Sequence, residues 1–344
     1  MNKVAILGHF AFGMDKANGQ TIKTKIVGAE LKKVLGDEEV DFFDTMGGWK
    51  FLLKMPFTII RLLRNYRNIV FLPAYKAVYL IVPLLVLCNF FYRRNLHYVV
   101  IGGRLPQLLR KHPVLRFSLR YVDHIYPETE MMSRELEKVK LKDVVVMPNC
   151  KHLDIVEENQ LVHFQAPPYP LCTFSRVERS KGIEDAIIAV NACNKNLGGT
   201  FFMLHIYGLV QETEWFDNLM QDQSEDVTYM GVIDYSKSTE ILRQYFALLF
   251  PTYYAGEGFA GTIIDAIAAG LPVIASDWKA NPEIIKEGET GMLFPARSTE
   301  ALTDILLRLA ERPQLIDALR RNCIQEAKKY QPEIVIQSLV RHLV

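Results

Sequence analysis

An α/β protein built from two Rossmann-like domains is predicted by three observations. The 344 residues exceed the roughly 150 that one core usually organises. Short apolar, β-branched runs alternate with stretches of helical periodicity along both halves of the chain. A proline-rich run, QAPPYP at 165–170, separates the two series. The domains are therefore expected at 1–165 and 166–330, with a last helix over 331–344 free to pack back on the first domain.

Taken in order, VAILG near the start is a buried strand, and the loop after it, HFAFGMDKANGQT, is rich in small residues. Gly8, Gly13 and Gly19 are too widely spaced for G-x-G-x-x-G, which argues against a nicotinamide dinucleotide site. A helix follows over 21–35, with Ile22, Ile26, Val27 and Leu31 on its apolar face. Residues 49–67, WKFLLKMPFTIIRLLRNYR, put Lys50, Lys54, Arg61 and Arg64 within an arc of about 80°. Pro56 is expected to split this segment in two. The pattern fits either an interfacial helix that seeks anionic membranes or a core helix with one solvated face.

NIVFLP is a strand, and residues 77–92, AVYLIVPLLVLCNFFY, carry no charge. That run is shorter than the roughly 20 residues of a spanning helix and contains Pro83, so it reads as a packed helix and no membrane span is predicted. HYVVIGG is a strand that delivers Arg104 to the carboxyl edge of its sheet, where ligands of open α/β sheets bind. Arg104 is therefore a candidate contact for an anionic acceptor, and equally a solvated surface arginine. A helix over 113–121, a strand DHIYPE, a helix over 131–139 and a strand VVVMPN complete the first series.

The second series runs LCTFS, a helix over 182–194, FFMLHIYG, a helix over 213–221, VTYMG, a helix over 238–246 and ALLFPT. A small-residue turn, a short helix TIIDAIAAG, the strands LPVIAS and GMLFPA, and an amphipathic helix over 299–311 follow. The final helix, 332–343, offers Ile334, Ile336, Leu339, Val340 and Leu343 for burial.

Net charge is +1, but its distribution is uneven. Between Asp44 and Asp123 there is no acidic residue and there are thirteen Lys and Arg, leaving 27 basic against 39 acidic residues elsewhere. One part of the protein is strongly basic. No recognised module or aromatic–basic interleaving supports nucleic-acid binding. Five cysteines without short spacing argue against a disulfide framework or zinc site and for a reducing compartment. The N-terminus is too short and too quickly polar for a signal peptide, so a cytoplasmic protein is expected.

The chemistry concentrates in residues 250–283, FPTYYAGEGFAGTIIDAIAAGLPVIASDWKANPE. Glu257 enters a glycine-rich turn and Asp265 lies just over one turn into the helix behind it. Backbone N–H groups at that helix start point toward any anion in front of it. Two carboxylates beside a helix N-terminus suit a molecule bearing both phosphates and hydroxyls. In SRVERSKGIEDA, Arg176 and Lys181 flank a second turn that opens a helix, with Gly182 allowing close approach. Two cations and backbone donors suit a diphosphate without a metal.

The order SRVERSKG, HIYG, TYMG, PTYYAGEGFAGTIIDAIAAGLPVIASD and NPEIIKEGETGMLF resembles the retaining nucleotide-sugar glycosyltransferases of family 4, over residues 171–310; the first domain matches only loosely. The resemblance implies the GT-B fold, two Rossmann-like domains facing each other across a cleft. It implies that Arg176 and Lys181 grip the donor diphosphate, that Glu257 contacts the hydroxyls of the transferred sugar, and that Asp265 holds the ribose. It likewise implies backbone contacts from Gly258, Phe259, Ala260, Gly261 and Thr262 near the sugar and phosphate, from Met230 and Gly231 to the base, and from Gly19, with Gln20, in the first domain.

Two departures stand out. Asp265 is one methylene shorter than the family's second Glu. Where many relatives carry a His in the first domain, this chain reads IGGR, so no general base is assigned. No D-x-D sequence occurs, and a metal-independent reaction with no cofactor is expected.

The basic segment suggests a peripheral enzyme on the inner face of the cell membrane, glycosylating a lipid-linked saccharide in surface polysaccharide assembly. Each nearby Lys or Arg adds about 1 kcal/mol of attraction to an anionic surface. A soluble acceptor, a nucleotide-sugar epimerase of similar fold, or a catalytically silent partner subunit stay open as alternatives.

Overall fold

The computed structural model describes residues 3–12, 19–46, 48–74 and 77–344, with the side chains of 48–52 outside that set. Gly13, Lys76 and the side chains of Trp49 and Lys50 thus lie outside the described residues. The chain forms two compact units, Met1–His152 with Gln331–Val344, and Leu153–Tyr330. The break precedes the proline-rich run because residues 153–161 belong with the second unit: Val156 donates its N–H to the Ala268 carbonyl, and Val156 and Leu161 cluster with Ile324.

The first unit contains β1 (Val4–Gly8), α1 (Gly19–Leu35), β2 (Val40–Asp44), α2 (Gly48–Asn65), β3 (Asn68–Leu72), α3 (Val78–Tyr92), β4 (Asn95–Val99), α4 (Leu105–Lys111), α5 (Pro113–Leu119), β5 (His124–Tyr126) and α6 (Glu130–Lys138). Its five strands are parallel in the order β2-β1-β3-β4-β5. Alternation along the strands divides the core. Ala5, Leu7, Ile69, Phe71 and Tyr98 face α2 to α6, while Val4, Ile6, Val70, Leu72 and Val99 face α1 and the C-terminal segment.

Three expectations change here. Pro56 does not split the basic segment: α2 is one helix, and Pro56 lies on its exposed side. VVVMPN is not a strand; Val144 makes only an isolated bridge to Ile125. β2, rich in aspartate and phenylalanine, was not anticipated.

The second unit contains β6 (Tyr169–Phe174), α7 (Ile183–Leu197), β7 (Phe202–Tyr207), α8 (Thr213–Met220), β8 (Val227–Gly231), α9 (Ser238–Leu242), β9 (Ala247–Phe250), α10 (Gly261–Ala268), β10 (Val273–Ser276), α11 (Asn281–Ile284), β11 (Gly291–Phe294), α12 (Thr299–Glu311) and α13 (Leu315–Ala327). All strands are parallel, in the order β11-β10-β9-β6-β7-β8. Counted from β6, this is the doubly wound 3-2-1-4-5-6 order, whose switch point falls between β6 and β9. One sheet face is covered by α7, α8 and α12, the other by α9, α10 and α13.

The expected terminal helix is two short ones, α14 (Pro332–Val335) and α15 (Gln337–Val340). They return to the first unit, where Val335, Ile336, Leu339 and Leu343 enter its core. Among the described residues no helix is long and apolar enough to cross a membrane.

Candidate active site

The switch point between β6 and β9 brings together the two turns singled out in the sequence. The turn after β6 ends at Gly182, whose φ of +71° favours glycine and where a Cβ would lie 2.2 Å from the Pro251 carbonyl oxygen. That close approach seats the start of α7 against the end of β9. Tyr253 donates its N–H to the Ser180 carbonyl at 2.8 Å, tying the turns together. Gly208 does the same on the other side of β6: at φ +136° its missing Cβ would overlap the Ser175 carbonyl.

Lys181 and Glu257 meet inside this junction. Lys181 Nζ lies 2.6 Å from Glu257 Oε2, and both side chains are less than a tenth exposed. Buried Thr252 donates its hydroxyl to the same carboxylate oxygen at 2.8 Å, and Ser276 holds the Thr252 carbonyl from β10. Phe250 and Tyr254 place their rings 5.6 and 5.0 Å from Lys181 Nζ, a favourable setting for a cation.

Arg176 is exposed, pairs with Glu178 at 3.3 Å, and lies 5.3 Å from the Tyr254 ring. Both cations therefore flank one tyrosine, which Trp278 steadies by donating its indole N–H to the Tyr254 carbonyl at 2.8 Å.

The other site residues fall as follows. Gly258 and Phe259 continue the turn after Glu257, and Phe259 is buried edge-on against Tyr330. Ala260 is the N-cap of α10 in extended conformation, without a side-chain cap, so the N–H groups of Gly261 and Thr262 open the helix. Asp265 is buried in the second turn of α10. Met230 and Gly231 end the edge strand β8, two strands from β6; Met230 is exposed, and the Gly231 carbonyl accepts the Gly208 N–H. Two strand spacings amount to about 10 Å.

Gly19 and Arg104 belong to the first unit. Gly19 opens α1, and a Cβ there would meet nothing within 4 Å. Arg104 is the N-cap of α4, partly buried, five residues beyond β4.

Sequence reasoning missed Thr252, Tyr254 and Trp278; the run PTYY beside the glycine turn was the available signal. It also missed Lys23 and Glu128, a buried ion pair at 2.6 Å in the first unit. Glu128 accepts the Gly102 N–H at 3.1 Å and so fixes the turn that leads to Arg104. Among the described residues no group of three or more His, Cys, Asp or Glu is arranged to hold a metal ion.

Comparison with known proteins agrees with this architecture. The chain is 28% identical over 117 residues to a phosphatidyl-myo-inositol mannosyltransferase from Mycobacterium leprae, covering 34% of this chain and 31% of that one. It is 27% identical over 179 residues to the GtfA subunit of a UDP-N-acetylglucosamine–peptide N-acetylglucosaminyltransferase from Streptococcus pneumoniae, covering 52% of this chain and 34% of that one. These matches thus span about a third of each relative's length.

Among solved structures, Anabaena HepE in complex with UDP aligns over 99% of both chains with a TM-score of 0.74 at 16% identity. A glycosyltransferase from Rickettsia africae aligns over 100% of this chain and 98% of its own, with a TM-score of 0.74 at 14% identity. The fold is that of GT-B glycosyltransferases. The family described as "Glycosyl transferases group 1" matches residues 158–330, just over half the chain and almost the whole second unit, and the protein belongs to that family.

Proposed function

We propose that the protein is a retaining, metal-independent enzyme that transfers a sugar from a nucleoside-diphosphate sugar to a lipid-linked saccharide at an anionic membrane surface. The observation that carries the donor half is the switch-point cluster, in which Arg176, buried Lys181 and the starts of α7 and α10 all lie at the β6 and β9 turns. As the anomeric C–O bond breaks, its electron pair leaves on the diphosphate. Fixed cations and helix N-termini stabilise that growing charge, and loss of one such group costs about 10²–10³ in rate.

Lys181 has a second task in this account. With Glu257 as its partner it neutralises a buried carboxylate; an arriving diphosphate draws Lys181 toward itself and turns Glu257 to the sugar hydroxyls. Asp265 accepts the ribose hydroxyls. Met230 and Gly231, about two strand spacings from β6, suit a base at the far end of the nucleotide. Arg104 and the Gly102 turn are assigned to the acceptor. The relative named for phosphatidyl-myo-inositol and another named for amylovoran biosynthesis support a lipid or polysaccharide acceptor. The acid-free basic segment of the first unit supports an anionic surface.

Incubation with UDP- and GDP-sugars in EDTA tests the reading. Sugar transfer or donor hydrolysis is expected to persist, and Glu257→Gln to lower turnover while leaving nucleoside-diphosphate affinity within a few-fold. Strict dependence on added Mn²⁺, or an inverted anomer in the product, would overturn the metal-free or the retaining assignment respectively.

A further inference from the structure

The outer surface of the first unit's helix layer carries a feature that donor chemistry does not use. α3 packs against both α2 and α5, and all three bury one side against the sheet through residues such as Ile59, Leu62, Ile81, Leu85 and Leu115. Their opposite sides carry large apolar residues as well. Leu53, Phe57 and Ile60 recur at i, i+4 and i+7 along the exposed side of α2, with Phe57 77% exposed. Leu80, Leu87 and Phe91 recur at i, i+7 and i+11 on α3, with Phe91 86% exposed. Phe90, exposed at the end of α3, meets Tyr121 at 5.2 Å, and Tyr121 meets exposed Phe117 of α5 at 5.2 Å, so the apolar surface crosses from one helix to the next.

Single exposed apolar residues are ordinary; aromatic rows on adjoining helices mark a surface that something covers. The charges say what. Lys54, Arg61, Arg64, Arg93, Lys111 and Arg120 are exposed on or beside the same helices, in a segment without an acidic residue between Asp44 and Asp123. A second copy meeting this face across a two-fold axis would bring those cations against themselves with no carboxylate from the segment between them. An anionic bilayer answers both features, with acyl chains for the phenylalanines and headgroup phosphates for the cations.

We propose that α2, α3 and α5 form a membrane-insertion face in which Phe57, Phe91 and Phe117 enter the acyl region while the flanking Lys and Arg engage anionic headgroups. This deepens the membrane reading given above and differs from surface attraction alone. Electrostatic adsorption is abolished by high salt, whereas insertion leaves a salt-resistant component, each inserted phenylalanine contributing about tenfold to partitioning.

The test is flotation of the full chain with phosphatidylcholine vesicles, with and without phosphatidylglycerol, at low and high salt. Wild type is expected to float with phosphatidylglycerol and to be retained in part at high salt. The variant Phe57→Ser/Phe91→Ser/Phe117→Ser is expected to lose at least about a hundredfold in partitioning while its circular dichroism and UDP or GDP binding are unchanged. In Phe91→Trp, the new indole is expected to be quenched by brominated acyl chains, beyond any quenching in wild type. Absence of flotation, flotation without that added quenching, or vesicle-free dimerisation that the serine variant abolishes would each overturn the proposal. Nucleotide binding on the same preparations reports the donor site separately, so either reading can fail alone.

Discussion

Removing Lys181 should destabilise the second unit by an amount that the geometry makes large. Lys181 Nζ and Glu257 Oε2 are 2.6 Å apart with both side chains less than a tenth exposed, and Thr252 supplies the neutral donor to that oxygen. Lys181→Met leaves the Glu257 carboxylate buried without its cation, a change that costs about 3–5 kcal/mol. Glu257→Gln leaves the ammonium buried against an amide carbonyl and should cost somewhat less.

The double variant, Lys181→Met/Glu257→Gln, removes both charges and keeps the Thr252 hydroxyl donating to the carbonyl of the introduced amide, so it should lie within about 1 kcal/mol of wild type. The expected coupling energy is at least about 2 kcal/mol. Urea unfolding followed through Trp215 and Trp278, with Trp49 replaced by Phe, reads the second unit. At an m-value of about 2 kcal/mol/M the single lysine variant should shift the midpoint by about 2 M. Additive single costs, with coupling below about 0.5 kcal/mol, would refute the reading of this pair as a buried, mutually dependent ion pair.

Two further outcomes follow from particular residues. His97 is fully buried in β4, hydrogen-bonded to Tyr126 and stacked on His124, and burial, then the charges of His124 and His342, push its pKa down to about 3. The folded state therefore keeps His97 neutral, while the unfolded chain takes up a proton below pH 6.5. Stability of the first unit should fall as pH drops below 6.5, by about 1.4 kcal/mol per unit for this group. Between pH 6.5 and 5 wild type should lose about 2 kcal/mol more than His97→Gln, read by urea unfolding followed by circular dichroism; equal slopes would contradict this. Gly182→Ala places a Cβ 2.2 Å from the Pro251 carbonyl at positive φ, and should cost about 2 kcal/mol or more. It should also weaken UDP or GDP binding, whereas Gly199→Ala, with open space around its Cβ, should do neither.

The alternation of strands and helices in both halves was legible because buried parallel strands read as short apolar runs between amphipathic helices. Glu257 and Lys181 were legible because each sits where a strand end meets a helix start. Their pairing was not, since residues 76 apart share no local signal. Lys23 and Glu128, 105 apart, were hidden for the same reason: a lysine on a helix reads as solvated until the sheet edge that buries it is known. The helix break expected at Pro56 did not occur: α2 runs through it as one helix with the proline on its exposed side, so a proline within an apolar–basic run does not by itself mark a helix end. VVVMPN failed because an apolar run needs a partner strand, and only one bridge forms beside β5. The boundary near residue 152 is set by the packing of Val156 and Leu161 on the second unit, which the prolines at 167, 168 and 170 do not report.

Arg176 and Lys181, at the β6–β9 switch point, are proposed to grip a nucleoside diphosphate without a metal, and that proposal underlies the donor chemistry. It is tested most directly by titrating UDP and GDP into the protein in EDTA while following Trp278, whose indole holds the Tyr254 carbonyl beside both cations. Saturable binding of at least one of the two is expected, weakened about a hundredfold or more in Arg176→Ala/Lys181→Ala, since each charge-assisted hydrogen bond contributes about 1.5–3 kcal/mol. Unchanged affinity in that variant, or binding that appears only when a divalent metal is restored, would contradict it.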